Sequence, residues 1–244
     1  MTTVSRPTAP LPAQRPAGTA RLASYQKFTA AVLSTCERDP GARAALRSGV
    51  RKDLDSVPRM HRVIAHLVPA NASEDTQRAY YAVAAMIAEQ ARRQGTTTDD
   101  PAKDPHDDST EAAAEEPALV GDEGGREYGI SLGASFALAV LKSPGRERQM
   151  RRGTAESRLN ILCKQGVTGL HRHLPASVRY LRSLDAAVDW ARLLQDLVDW
   201  RRHSGRVSRR WLQDFYRRCQ EDARREADRN DEDATHVPAA ATSD

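Results

Sequence analysis

The chain has 244 residues, 39% of them hydrophobic, enough to bury the cores of one or two modest domains. No apolar run approaches the roughly 20 residues that a membrane helix needs, and Cys36, Cys163 and Cys219 stand too far apart for a disulfide framework or a zinc site. The net charge of +4 conceals strong segregation: −9 between Asp99 and Glu127, −5 between Glu221 and Asp244, and +18 on the rest.

Residues 1–20 are rich in Pro, Thr and Ala and read as a disordered leader. Pro7, Pro10, Pro12 and Pro16 interrupt any secretory apolar stretch, so a cytoplasmic protein with no membrane association is expected. Leu22, Tyr25, Phe28, Val32 and Leu33 predict a first helix from about Arg21 to Arg38, ended by Asp39-Pro40-Gly41. A short helix follows over 42–48, with Arg43 and Arg47 four apart on one face. Val57-Pro58 opens a third helix through Ile64 and Leu67, closed by Val68-Pro69. The fourth runs from Thr76 to about Arg93, with Ser73 as its cap and Tyr80, Val83, Ala84 and Ile87 as its apolar stripe.

Residues 96–128 form a low-complexity acidic segment that cannot bury enough apolar surface to offset ordering, and read as a flexible linker. Beyond it, Ser131 caps a helix containing Phe136, Leu138, Val140 and Leu141. A helix over 155–165 carries Leu159 and Leu162 inward, leaving Arg158 and Lys164 for solvent or ligand. Pro175 is placed at the first turn of the next helix, which reaches about Leu184. A strongly amphipathic helix spans 187–202, and Gly205 separates it from a last one in which Val207, Trp211 and Phe215 recur every four residues. The tail, 221–244, is acidic and predicted to be disordered. The fold expected is all-α: two small helical bundles, 21–95 and 129–220, joined by a disordered acidic linker.

Between Lys142 and Arg218 there are 18 basic residues and 7 acidic ones, threaded among apolar positions at helical spacing. Such helices bury one face and hold guanidinium groups at fixed positions on the other, which suits a phosphate backbone. Arg179 and Arg182, three apart with few acidic neighbours in sequence, are candidate ligand contacts. Arg201 and Arg202 end a helix, where the dipole alone also favours cations. Trp190, Trp200 and Trp211 have the spacing of core residues rather than stacking platforms. His171 and His173 lack the carboxylate or Cys neighbours of a metal site. Asp185 and Asp189 share a face but sit at a helix start, where an acid needs no catalytic role. Gly129 and Gly133 follow no strand and form no phosphate loop. No catalytic residue, metal site or cofactor is predicted.

Taken in order, Ile130-Ser131-Leu132-Gly133, Glu156-Ser157-Arg158-Leu159, the 174–183 segment, Val188-Asp189-Trp190, Trp200-Arg201-Arg202 and Trp211 to Tyr216 resemble one family. It is the CasB small subunit of the type I-E CRISPR Cascade complex. In the first half Ala45-Leu46-Arg47 and the helices over 57–68 and 77–87 also fit, so the resemblance covers about 21–95 and 129–218. It implies a non-catalytic subunit, present as a pair, that contacts CRISPR RNA, both the target and displaced strands of target DNA, and other Cascade subunits. Carried over by position, the nucleic-acid-binding residues are Arg47, Arg78, Arg158, Lys164, Arg179, Arg182, Arg201 and Arg202. Ser48 and Val167 stand where the family pattern is basic. The alternatives are a free-standing helix-turn-helix DNA-binding regulator, with Gly205 at its turn, or a scaffold that binds only proteins.

Overall fold

Helices alone make up the regular structure of the computed structural model, which describes residues 17–90, 129–141 and 148–235. Residues 1–16 of the predicted leader, the predicted linker 96–128 and residues 236–244 of the tail lie outside the described residues. The first helix, α1 (Ala17–Arg38), begins inside the predicted leader. It buries Leu22, Tyr25, Phe28, Val32 and Cys36, while Leu33, one step off that stripe, is 36% exposed. Asp39 then turns the chain: its Oδ1 accepts the amides of Gly41 and Ala42 at 2.8 and 2.9 Å and caps α2 (Pro40–Arg47), with Pro40 in the first turn.

Next come α3 (Pro58–Ile64), with a 3₁₀ turn over 65–67, and α4 (Glu74–Gln90). Nine residues of α4, between Ala79 and Ala88, are buried, because this helix is packed on several sides. Tyr80 receives Tyr25 and Phe28 edge-on, ring centroids 6.1 and 4.6 Å apart.

The second half opens with α5 (Leu132–Val140), capped as expected by Ser131, whose Oγ accepts the Ala134 amide at 3.2 Å. The same hydroxyl donates to Asp214 Oδ2 at 2.6 Å. Gly133 is there for closeness: a Cβ on it would lie 1.8 Å from the Trp211 carbonyl oxygen, so α5 rests on backbone. Then follow α6 (Arg152–Cys163), α7 (Val167–Ser183) and α8 (Trp190–Thr235).

Helix α7 departs from expectation. Pro175 lies in its interior, and the helix starts eight residues earlier. Proline removes one backbone hydrogen bond, yet Leu170, Leu174, Val178 and Leu181 all fall on one buried stripe, and their packing holds the helix through the defect.

Helix α8 contains one non-helical residue, His203 (φ −135°, ψ 27°), close before Gly205, where a break between helices was expected. Trp211 Nε1 donates to Asp196 Oδ2 at 2.6 Å although the two are fifteen residues apart. In a straight helix that separation would be about 22 Å. The arms before and after His203 therefore fold back on each other, and Trp200 and Trp211 meet with centroids 5.0 Å apart. The second arm stays helical to Thr235, so the tail predicted as disordered from Glu221 is helical over 221–235, with an exposed surface through Asp231. Over its first turns Arg224, Arg225 and Arg229 lie among acidic residues, an arrangement that supports an exposed helix.

The two helical halves flank residues 91–128 as expected, and one hydrophobic cluster runs through both. Helices α1 and α4 pack against α8, and α4 also against α7. Asp196 lies within this cluster. It is fully buried, ion-paired with Arg192 at 3.3 Å and with Arg210, and hydrogen-bonded to Trp211. Burial pushes its carboxyl up from 3.8 to about 6, against the pull of the two arginines and the indole.

This packing can be tested at two places. Trp200 and Trp211 are the buried tryptophans, whereas Trp190, expected in the core, is only partly buried at its edge. Trp200→Ala should cost about 3–5 kcal/mol in urea unfolding, and Trp190→Ala clearly less; equal losses would contradict the packing. Because Asp196 holds its proton more tightly folded than unfolded, its contribution to stability is greatest below pH 3.8 and declines as pH rises to about 6. The stability difference between wild type and Asp196→Asn should therefore fall across that window and be flat above it; a difference independent of pH would count against the raised carboxyl.

Candidate nucleic-acid interface

Rigid helices hold the eight basic residues singled out from sequence, but in different surroundings. Arg47 is exposed at the end of α2, whereas Arg43, expected beside it, turns inward and donates to the Ala88 carbonyl at 3.3 Å. Arg78 on α4 is mostly buried: its side chain is 19% exposed, with Glu74 at 3.1 Å and Asp53 at 3.9 Å. Arg158 on α6 lies 4.6 Å over the Tyr180 ring of α7, which fixes its guanidinium by a cation–π contact. Lys164 is exposed at the C-terminus of α6.

Arg179 and Arg201 do not lack acidic partners, contrary to the expectation for Arg179. Arg179 pairs with Glu89 at 3.2 Å and Arg201 with Asp75, both partners lying on α4. The carboxylates are distant in sequence, so only the packing of the two halves brings them near. Hydrogen bonding to Asp75 holds the Arg201 guanidinium above its ordinary value. Both arginines remain largely exposed on their outer sides, at 59% and 71%. Arg182 is half-buried one turn after Arg179, and Arg202 is exposed next to the His203 corner.

The uninterrupted α7 also places Arg172 one heptad before Arg179, on the same face, which a helix starting at Pro175 would not do. Sequence reasoning missed Arg51, Lys52 and Arg172 as a group. With Arg78 they surround a cavity of about 270 Å³ between the loop after α2, α4 and the start of α7. The only signal in sequence was the continuity of α7, obscured by its proline.

The acids and histidines have structural tasks. Asp189 accepts the Arg192 amide at 2.9 Å, capping α8, and the Ile130 amide at 3.1 Å, anchoring the start of α5. Burial, then the neighbouring Arg78, pulls His171 down to about 4 against the opposing field of Asp75, so it is neutral at pH 7. The thiols of Cys36, Cys163 and Cys219 are all pushed up by burial, which keeps them protonated. Among the described residues no group of three or more His, Cys, Asp or Glu is placed to hold a metal ion, and no helix is long and apolar enough to cross a membrane. Trp211 and Phe215 are fully buried, so the second arm of α8 does not offer the free face that a groove-reading helix needs there.

A helical protein with cations fixed along its outer faces is the class this geometry defines. The profile of the family described as CRISPR-associated protein Cse2 matches residues 42–216. The chain belongs to that family, in agreement with the CasB resemblance read from sequence. Two solved chains, described as "CRISPR RNA-guided surveillance complex" and the same complex "pre-nicking", are 30% and 29% identical to it. Each is similar over 84% of this chain and 99% and 98% of its own length, with a TM-score of 0.63. The M. ruber CasB crystal structure, 19% identical with a TM-score of 0.54 over 83% of this chain and 96% of its own, shares the fold. No curated protein sequence matches.

The α4 carboxylates compete for the arginines that phosphates would engage. Asp75→Asn combined with Glu89→Gln should leave helicity intact and tighten binding to a single-stranded oligonucleotide. The slope of log affinity against log salt should steepen by roughly 0.7 for each arginine that gains a phosphate. An unchanged slope would mean that neither arginine reaches the strand.

Proposed function

We propose that this protein is the non-catalytic small subunit of a cytoplasmic CRISPR RNA-guided surveillance complex, present there as a pair. In this reading it contacts other Cascade subunits and holds the backbones of the CRISPR RNA and of the target and displaced DNA strands, stabilising the opened duplex. The observation that carries it is the match to chains of such a complex over nearly their whole length at 29–30% identity. The chemistry is compatible. In RNA-guided recognition base pairing supplies the sequence, and the protein supplies a basic channel. Guanidinium groups fixed by Tyr180 or by α4 carboxylates are ordered before any strand arrives, which reduces the entropy lost on binding. The contacts assigned are Arg47, Arg78, Arg158, Lys164, Arg179, Arg182, Arg201 and Arg202, of which Arg78 is mostly buried.

The test is the double variant Arg179→Ala, Arg182→Ala in a complex reconstituted with CRISPR RNA and the other subunits. The Arg179–Glu89 pair is exposed on its arginine side and mostly buried on its carboxylate side, so stability should fall by about 1 kcal/mol. Target-DNA affinity should weaken similarly for matched targets of different sequence, with the salt slope reduced by roughly 0.7–0.9 per lost phosphate contact. Full affinity with an unchanged slope would remove α7 from the interface.

A further inference from the structure

The cavity between the two helical halves has a charged mouth and an apolar interior. Four cations line it, Arg51, Lys52, Arg78 and Arg172, against the single carboxylate of Asp53. Its inner wall is formed by Met60, Tyr81 and Met86, all buried. The loop that carries Arg51 and Lys52 is held in place. The Lys52 amide donates to the Gly49 carbonyl at 3.1 Å, and a Cβ at Gly49 would lie 1.9 Å from the Met60 sulfur, so glycine lets the loop seat against α3 without displacing that side chain. Arg51 itself has φ 63°, the left-handed region that costs a non-glycine residue energy and that recurs at ligand clamps.

Tyr81 is fixed in the wall by a 2.7 Å hydrogen bond from its hydroxyl to His61 Nδ1, which also leans on its ring. An apolar, partly aromatic slot with several cations at its rim suits a nucleotide: a flat base joined to an anion.

We propose that this cavity takes one unstacked nucleotide of a single-stranded nucleic acid, the base entering between α4 and α7 and its phosphate resting on Arg51, Lys52 and Arg172. The inference rests on the nucleic-acid-binding reading above and adds a base-sized site to what would otherwise be backbone contact alone. A cavity of about 270 Å³ has room for a base, and a site that stacks one base grips the strand at one point and is tolerant of sequence.

The experiment compares a fluorescent oligomer of thymidine with an abasic deoxyribose-phosphate oligomer of equal length, each titrated with the full chain at several salt concentrations. The wild type should favour the thymidine oligomer by about fivefold or more. Ala82→Phe, from the α4 wall, and Thr168→Phe, from the first turn of α7, each narrow the cavity without removing a cation. Whichever variants keep wild-type helicity by circular dichroism should bind the two oligomers equally, with an unchanged salt slope. Equal binding by the wild type, or a preference that persists in a folded narrowed variant, overturns the proposal. Thymidine monophosphate should compete only weakly; tight binding of it without preference between oligomers would assign the cavity to a free nucleotide and overturn the strand reading. Absence of binding to either oligomer would instead remove the nucleic-acid reading itself.

Discussion

The carboxylate of Asp196 is the constraint on which much of the second half depends. It sits on the first arm of α8 and joins Arg210 and Trp211 on the second, across the corner at His203. A charge buried this deeply is tolerated only where it is paired and hydrogen-bonded: Arg210 and Trp211 donate to it here, and Arg192 adds an ion pair. Removing the carboxylate would take the counter-charge from the buried Arg192 and the partly exposed Arg210, and breaking a buried pair in this way typically costs about 3–5 kcal/mol. The pairing also selects one geometry. Apolar contact between Trp200 and Trp211 would permit sliding of the two arms, whereas a carboxylate with directional donors on both fixes their register.

That register propagates outward. The second arm presents the Trp211 carbonyl to Gly133 and Asp214 to Ser131, so the corner decides where α5 lies. The first arm presents Asp199 to Arg21 of α1 at 3.3 Å and Arg201 to Asp75 of α4, so the same corner decides how the two helical halves meet. Between those halves lies the cavity rimmed by Arg51, Lys52 and Arg172. The outer cations and the cleft are thus consequences of one packed junction rather than separate ornaments on two bundles.

The carboxylates of α4 have a double effect on the basic surface. Glu89, Asp75 and Glu74 each hold an arginine at a defined place, which orders long side chains ahead of ligand binding. They also lower the local positive potential, so a strand must offer more than a carboxylate does in order to displace them. A polyanion satisfies that condition, because several phosphates act together and counterion release adds to each contact.

The sequence by itself determined the helical class and most helix stripes, because the alternation of apolar and polar residues at a period of 3.6 is a local property. Leu22, Tyr25, Phe28 and Val32 are buried as their spacing requires, and Ser131 caps α5 as its position before an apolar run requires. Family membership was legible too, since it rests on the order of short segments along the chain. Other features were decided by tertiary structure. Pro175 announced a helix start by its local chemistry, but burial of Leu170, Leu174 and Val178 carried the helix through it. Arg179 looked unpaired because Glu89 is ninety residues away. Trp190 shared the spacing of Trp200 but reached only the edge of the core, because the fold-back at His203 encloses the far end of the arm more completely than its start. The grouping of Arg51, Lys52, Arg78 and Arg172 exists only once α4 and α7 are packed. Periodicity fixes which face of a helix turns inward, and the neighbour that covers that face is settled only when the whole chain has folded.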